Sequence, residues 1–563
     1  MGTTRTKHQR KKENSKVRAA AVAVGKPMAR AAMPAASPLE MSTMKVVELR
    51  PARALALPLV FAVALVAMMI LPSIHGNPRL AWSFAGAAAA LLAWNAWLFV
   101  TARAHGRRLV LEIVARKQHY VQACAQGSVL LYWGWYFREV YDSAPLILAQ
   151  LLFAYAFDML LAWSRRSTYT FGFSPFPVIF SINLFLWFKA DWFYLQFVMI
   201  AVGFAAKELI RWNKDGRRVH IFNPSSFPLG VFSLGLLLTG NTAITWAAEI
   251  AETFERPPYI RLWIFLIGLP GQYFFGVTLM TASAVLTVVV FNLVYFAIFG
   301  TYFFVDAYVP AAVFLGMQLL FTDPSTSPRT ELGRIIFGML YGLGVLTLFA
   351  LLEHLGAPKF YDKLLAVPLM NMCVQVIDRV AQSPSIRRFD PTVSVRTLPQ
   401  RQRHLIYIGV WALVFILMSD PGDLLRPRRW LPFWEEACMQ SRHHACETLG
   451  GLVKQYCRQG SGWACNELGI LEAERRTRSG VPAQAAFERA CAIGFGSGCE
   501  NTANLFSGGR SFTRSPPRDV DYPILLQEGS VTPPAKTSQE LHARACKQGW
   551  KEACGSLDSA QKR

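Results

Sequence analysis

Long, nearly uncharged apolar runs dominate this chain, and they restrict what it can become more than any other feature. Leu55 to Ile70, Phe193 to Ala206, Val285 to Phe304 and Ile335 to Leu352 are four of them. A hydrocarbon core about 30 Å thick takes roughly 20 apolar helical residues to cross. No single water-soluble core has use for so many segments of that length, and 53% of the 563 residues are hydrophobic. The sequence therefore predicts a polytopic membrane bundle, all-α, because a helix satisfies its own backbone groups where water is absent.

Thirteen runs are candidate spans, near 54–74, 80–101, 119–137, 146–163, 175–189, 192–210, 225–241, 259–278, 283–304, 308–321, 334–354, 364–378 and 404–419. Those at 175–189, 308–321 and 364–378 are too short for a full crossing and are expected to be tilted or re-entrant, giving about 11 to 13 pieces in all.

Basic loops stay on the cytoplasmic side. Lys and Arg cluster before residue 54, at 103–117, at Arg165/Arg166, at 207–218 and at 379–403, whereas Glu249, Glu252 and Glu255 mark the loop near 241–258. An N-terminus inside and an odd number of crossings put everything after Ser419 outside, in the periplasm of a bacterial inner-membrane protein. The first 50 residues are basic and lack apolar periodicity, so they read as a disordered cytoplasmic tail. The net charge of +22 includes about +8 from this segment, 11 basic less 3 acidic residues. Sidedness and anionic lipid account for the charge, and no nucleic-acid partner is expected.

Beyond residue 420 the chain changes character. Eight of its ten cysteines form four C-x7-C pairs: Cys438 with Cys446, Cys457 with Cys465, Cys491 with Cys499, and Cys546 with Cys554. Paired cysteines persist as disulfides in oxidising compartments, which agrees with the sidedness read from charge. Cys124 and Cys373 sit alone in apolar runs, where cysteine behaves as a small hydrophobe. Gly460, Gly494 and Gly549 follow the first cysteine of their pairs by three residues, a place suited to a left-handed helix C-cap. Each pair is then expected to clip the end of one helix to the start of the next. No C-x2–4-C knuckle occurs, so no metal is expected.

The tail, 421–563, resembles the cysteine-rich, Sel-like class of tetratricopeptide-type repeats, with a loop insertion at about 507–535. That resemblance implies a stack of helical hairpins offering a face to a periplasmic protein partner. The other reading is a disulfide-stabilised spacer.

Within the body, 51–420, three segments place polar residues, prolines and glycines where plain helix would be expected: His220 to Phe227, Leu279 to Ala284, and Phe321 to Thr330 followed by Gly333-Arg334. Asn-Pro and Asp-Pro interrupt helices and leave backbone groups that protein, water or a ligand must satisfy. Buried acids are a further hint, since each costs a few kcal/mol at the bilayer centre unless paired. Asp158, Asp306 and Asp323 are the candidates for ion or polar intramembrane roles, while Glu208, Glu353 and Asp378 have simpler readings as paired or helix-end residues.

Over about 110–380 the chain resembles the D subunit of the Rnf electron-transport complex and the B subunit of the sodium-pumping NADH:quinone reductase. The resemblance is carried by Phe222-Asn223-Pro224, by Thr322-Asp323-Pro324 with Ser327-Pro328, Thr330 and Gly333-Arg334, and by Phe337-Gly338 with Tyr341-Gly342. It implies a subunit of a membrane redox complex that relays electrons, coupled to ion movement and assembled with other redox subunits. Family members carry FMN on a threonine of an S-G-A-T motif. The corresponding Met280-Thr281-Ala282-Ser283 lacks the glycine and the final threonine, which counts against covalent FMN and leaves noncovalent flavin (FMN or riboflavin) or quinone as the implied cofactor. The cofactor-binding candidates are Thr281, Ser283, Asn223, Thr322, Asp323 and Thr330. No catalytic residue is assigned, and no P-loop, H-E-x-x-H or G-x-S-x-G motif of a soluble enzyme is present. The competing reading is a transporter or membrane scaffold that kept the fold without the cofactor.

Overall fold

The computed structural model describes residues 45–214, 216–255, 257–305, 308–394, 398–419, 430–458, 460–492 and 495–514. Among the described residues 73% are helical and few lie in strands. Its longer helices in the membrane body, in chain order, are α1 (Pro51–Ala67), α2 (Pro78–Ala104), α3 (Lys117–Tyr136), α4 (Ala144–Arg165), α5 (Pro175–Asn183), α6 (Tyr194–Leu209), α7 (Ser226–Thr239), α8 (Ile260–Phe275), α9 (Thr278–Phe299), α10 (Ala311–Leu320), α11 (Glu331–His354), α12 (Asp362–Gln382) and α13 (Gln400–Met418). Every apolar run of the sequence overlaps one of them.

Among the described residues, six helical segments are long and apolar enough to cross a membrane: those of α1, α2, α4, α9, α11 and α12. Their outward faces carry Val60, Trp97, Leu293, Ile298, Leu351 and Val376, all exposed. A water-soluble monomer does not leave so many large apolar side chains uncovered. The run at 364–378, expected to be a short piece, lies inside the 21 residues of α12. Pro368 hid its length, because proline inside a helix interrupts the pattern; here it packs against Gly230 of α7, whose place a Cβ would contest at 2.7 Å. The other two short runs are short helices. α5 has 9 residues, and α10 changes from an α-turn to a π-turn at Gly316–Leu320.

Five strands were not foreseen. β1 (Lys45–Leu49) lies inside the stretch expected to be a disordered tail, whose remaining residues 1–44 lie outside the described residues. It pairs antiparallel with β2 (Leu109–Ile113), which pairs parallel with β3 (Thr168–Phe171). β4 (Arg211–Lys214) and β5 (Arg217–His220) form a hairpin. The sheet thus draws together three basic connections, the one before α1 and those after α2 and α4. Arg166 beside β3 reaches Glu208 at 3.4 Å, and Glu208 also holds Arg211 at 2.6 Å, tying the hairpin to the same end of the bundle.

The cysteine-bearing module has a hydrophobic core of its own, separate from that of the body. Its helices are α14 (Trp430–Met439), α15 (Ala445–Arg458), α16 (Gly462–Ala473), α17 (Ala483–Ala492) and α18 (Gly496–Phe506). Disulfides Cys438–Cys446, Cys457–Cys465 and Cys491–Cys499 join α14 to α15, α15 to α16 and α17 to α18. Each clips a helix end to the next helix start, as the spacing predicts. Gly460 takes a positive φ of 101° in the turn it was assigned. The fourth expected disulfide, between Cys546 and Cys554, lies outside the described residues. Gly494, Gly549 and most of the 507–535 insertion lie outside them as well. Cys124 and Cys373 are unpaired and exposed on outward faces of the body.

The module sits at the far end of α9 from the strands. Trp434 Nε1 donates to the Val305 carbonyl at 2.7 Å and Arg442 Nη1 to that of Gly300 at 2.9 Å. Phe433 packs on Tyr302 and Phe296. With 22 residues, α9 is about 33 Å long, a full membrane thickness between strands and disulfides.

Candidate functional site

The two interrupted loops flagged in the sequence meet at the strand end of the bundle. Phe222-Asn223-Pro224 leads into α7, and Thr322-Asp323-Pro324 into α11. Asn223 Oδ1 accepts from Ser225 N at 2.9 Å, Ser225 Oγ at 2.7 Å and Ser226 N at 3.3 Å, an Asx turn over the opening residues of α7. Its Nδ2 donates to the Leu320 carbonyl at 3.2 Å, at the end of α10. Asn371 of α12 fastens the loops together. Its Oδ1 accepts from Asn223 N at 3.2 Å and its Nδ2 donates to the Thr326 carbonyl at 3.3 Å, with its side chain wholly buried.

The segment after Asp323-Pro324 is built as a helix start. Thr330 Oγ1 accepts from Gly333 N at 2.9 Å, capping α11. A Cβ on Gly333 would lie 2.7 Å from that same oxygen, so a side chain there would push the cap aside. Arg334 then turns back, with Nε to the Pro328 carbonyl at 3.2 Å and Nη1 to the Gly276 carbonyl at 2.6 Å. Gly276 adopts φ +64° at the end of α8, and a Cβ there would strike the His404 ring at 2.7 Å. Asp378, near the end of α12, accepts from Arg329 N at 2.9 Å.

Of the six cofactor candidates, Asn223, Thr322, Asp323 and Thr330 come together here. Thr322 spends its hydroxyl on the Gln318 carbonyl at 2.8 Å, and Asn223 and Thr330 act as caps. Asp323 differs: its carboxylate is 19% exposed and stands 3.9 Å from His220 Nε2, with Ser325 Oγ bridging at 2.7 Å to Asp323 and 2.9 Å to His220. Burial works to raise the Asp323 carboxyl, but the hydrogen bond and charge of His220, together with the Ser325 donors, outweigh it and hold the group below the usual carboxylate range. His119 lies within electrostatic reach of Asp323, and Arg116 and Lys207 lie within reach of His119. The serine here bonds the acid directly instead of being relayed through the histidine, so the trio lacks the order of a nucleophilic triad.

Thr281 and Ser283 lie one turn into α9, where it crosses α11. A Cβ built on Gly338 would lie 2.2 Å from both the Met280 carbonyl oxygen and Ser283 Oγ, and one on Gly342 would lie 2.8 Å from the Ala284 carbonyl. The two helices approach so closely that glycine is the residue that fits. Ser283 Oγ donates to the Met280 carbonyl at 3.0 Å. Thr281 is fully buried, and its hydroxyl has no hydrogen-bond partner among the described residues. Ser283 is half-buried with its hydroxyl turned to the Met280 carbonyl, and the segment lacks the glycine and the final threonine of the attachment motif, so the residues present do not fit covalent attachment there.

Asp158 is held elsewhere, beside Tyr155 and Tyr169 on the α4 and β3 side. Asp306 lies outside the described residues. Glu353 pairs with Lys359 at 2.6 Å. The sequence reading flagged His220 only as the first residue of the His220 to Phe227 segment and missed Asn371 and Gly276 as parts of this site; their signal was in the neighbouring motifs that they bind.

Comparison with known proteins adds one finding at this point. Residues 260–387 match the NQR2, RnfD, RnfE family. The match runs from α8 through α12, includes the Thr322 to Arg334 loop and the α9–α11 seam, and covers well under half of the chain. No curated protein and no solved structure matches. The NQR2, RnfD, RnfE resemblance is therefore supported for residues 260–387, while the Phe222-Asn223-Pro224 motif, the rest of the 110–380 stretch and the disulfide-clipped module have no counterpart among the matches.

Proposed function

We propose that this chain is a membrane subunit of an electron-transport or ion-translocating complex, working beside other redox subunits in a bacterial inner membrane. One observation carries the reading: the stretch that matches the family holds the Thr322 to Arg334 loop, whose Asp323 meets His220 from the neighbouring loop. Noncovalent flavin or quinone is the cofactor class proposed, since aromatic-rich bundles with few polar groups suit planar redox rings. The stacked Phe337, Phe321 and Tyr341, with ring centroids 5.8 and 4.4 Å apart, favour such a ring-binding interior. The basic end is proposed to face the cytoplasm and the disulfide-clipped module the periplasm, where it docks a protein partner.

The test is direct. Protein purified in mild detergent is expected to carry flavin absorbance or a quinone detectable by mass spectrometry, and denatured protein is expected to show no flavin fluorescence on a gel. Purified protein with neither cofactor, and with no co-purifying redox subunit, would sink the reading. A cofactor-free transporter or scaffold is the second reading, favoured by the poor fit of Ser283 to covalent attachment. Altered ion or solute uptake in Asp323→Asn, with unchanged redox spectra, would select it.

A further inference from the structure

We propose that a file of water molecules threads the seam around α10 and conducts protons between the space beneath the disulfide-clipped module and the His220–Asp323 loop. The inference deepens the ion-translocation reading above and rests on its membrane-body assignment.

The first observation is a thin partition. Between module and body lies a cleft of ≈ 1140 Å³ that reaches Glu255, Pro310, Asp362 and Lys363. Glu255 accepts from Ala311 N at the first residue of α10 and from Arg261 at 2.7 Å, so the cleft reaches the start of that helix. At its other end α10 runs into Thr322 and Asp323. Ten helical residues span only about 15 Å, half the thickness of a hydrocarbon core. The barrier is thus about half that of a complete span.

The second observation is what lines it. Tyr341 Oη, Gln318 Nε2 and Gln272 Oε1 are buried and have no hydrogen-bond partner among the described residues, and the three residues are at most 2% exposed. Unsatisfied polar atoms in such a place cost about 1–3 kcal/mol each. They follow α10 in order. A Cβ on Gly316, in the π-turn, would lie 3.1 Å from Tyr341 Oη and 3.8 Å from Lys363 Cβ, which puts Tyr341 next to the buried Lys363–Asp362 pair at the cleft. Two residues on, Gln318 meets Gln272 amide to amide. A cavity of ≈ 20 Å³ lined by Gln272, Gln318 and Thr322 adjoins them, one residue short of Asp323. That is enough space for one water. A π-turn, often found at functional sites, sets the register of these groups.

The chemistry selects the occupant. A vacant amide N–H, a vacant amide oxygen and a hydroxyl suit water, which both donates and accepts. Exchanging the oxygen and nitrogen of both amides still leaves one of each. A bare metal cation would face the N–H and the Lys363 ammonium. In transport, one proton joins the file from cleft water while another leaves beside Asp323 and His220. As many O–H bonds form as break, no electron moves, and the membrane potential drives the net charge.

Full-length protein in sealed vesicles with a trapped pH dye, under a potassium diffusion potential, provides the test. Wild type is expected to acidify the lumen faster than empty vesicles. Gln318→Leu and Tyr341→Phe are each expected to slow this about tenfold, the effect on a barrier of one lost hydrogen bond. Tyr341→Phe removes one unpartnered oxygen and keeps the ring stacked on Phe321, so it reports even if Gln318→Leu does not fold. Wild-type flux equal to that of empty vesicles, wild-type flux in Tyr341→Phe, or sodium uptake in place of proton uptake would each overturn the proposal. Proton flux in protein that lacks flavin, quinone and redox partners would sink the electron-transport reading while leaving the path intact.

Discussion

Gly338→Ala isolates the tightest contact in the membrane body. The added methyl group would lie 2.2 Å from the Met280 carbonyl oxygen and from Ser283 Oγ. Comfortable carbon contacts fall near 3.5 Å, so α9 and α11 must part by roughly 1 Å along a seam where interiors do not yield easily. Overpacking of this kind costs about 1–3 kcal/mol. Because one of the two obstacles is backbone, Ser283→Ala should recover only part of the loss in the double variant. Unfolding of the purified protein in a denaturing-detergent titration, followed by tryptophan fluorescence, measures both. A Gly338→Ala protein as stable as wild type, or one fully rescued by Ser283→Ala, would refute the closed seam.

Asn371→Ala should leave the Asn223 amide and the Thr326 carbonyl unpaired and lower stability by about 1–3 kcal/mol for each group, measured in the same titration. Asp323, whose carboxyl is held below the ordinary range, contributes stability that is present above about pH 4 and lost as pH falls through its lower folded-state value. Asp323→Asn should therefore flatten the acid limb of a stability–pH profile, and an unaltered limb would count against the His220–Ser325 cage. Each described disulfide has a sequence separation of 8, and opening one by paired Cys→Ser substitution should cost the module about 2–3 kcal/mol. The six cysteines should resist maleimide in whole cells until a reductant is added, and Cys546 and Cys554, the fourth expected pair, should behave likewise.

The apolar runs gave the helical body away because span length is a matter of physics that needs no partner. The helix-end clips were equally legible for the three described pairs, since a disulfide with seven intervening residues suits little else than a turn between helices. β1 was not. Lys45–Leu49 is five residues beside a basic, structureless composition, and its pairing with Leu109–Ile113 is fixed across two helices that periodicity cannot look past. The interrupted loops could be found from Asn-Pro and Asp-Pro, but their joining by Asn371 could not, because one amide within the apolar residues of α12 gives no hint of its direction. The glycines after Phe337 and Tyr341 marked the resemblance without disclosing that their work is to let two helices touch.

The small mixed sheet also orders assembly. β2 can receive β1 as soon as α2 has re-crossed, but it cannot receive β3 until α3 and α4 have followed. The β1–β2 pair is thus completed late, by a strand two long helices further on, a latch that shuts only when the fourth helix has inserted in the right sense.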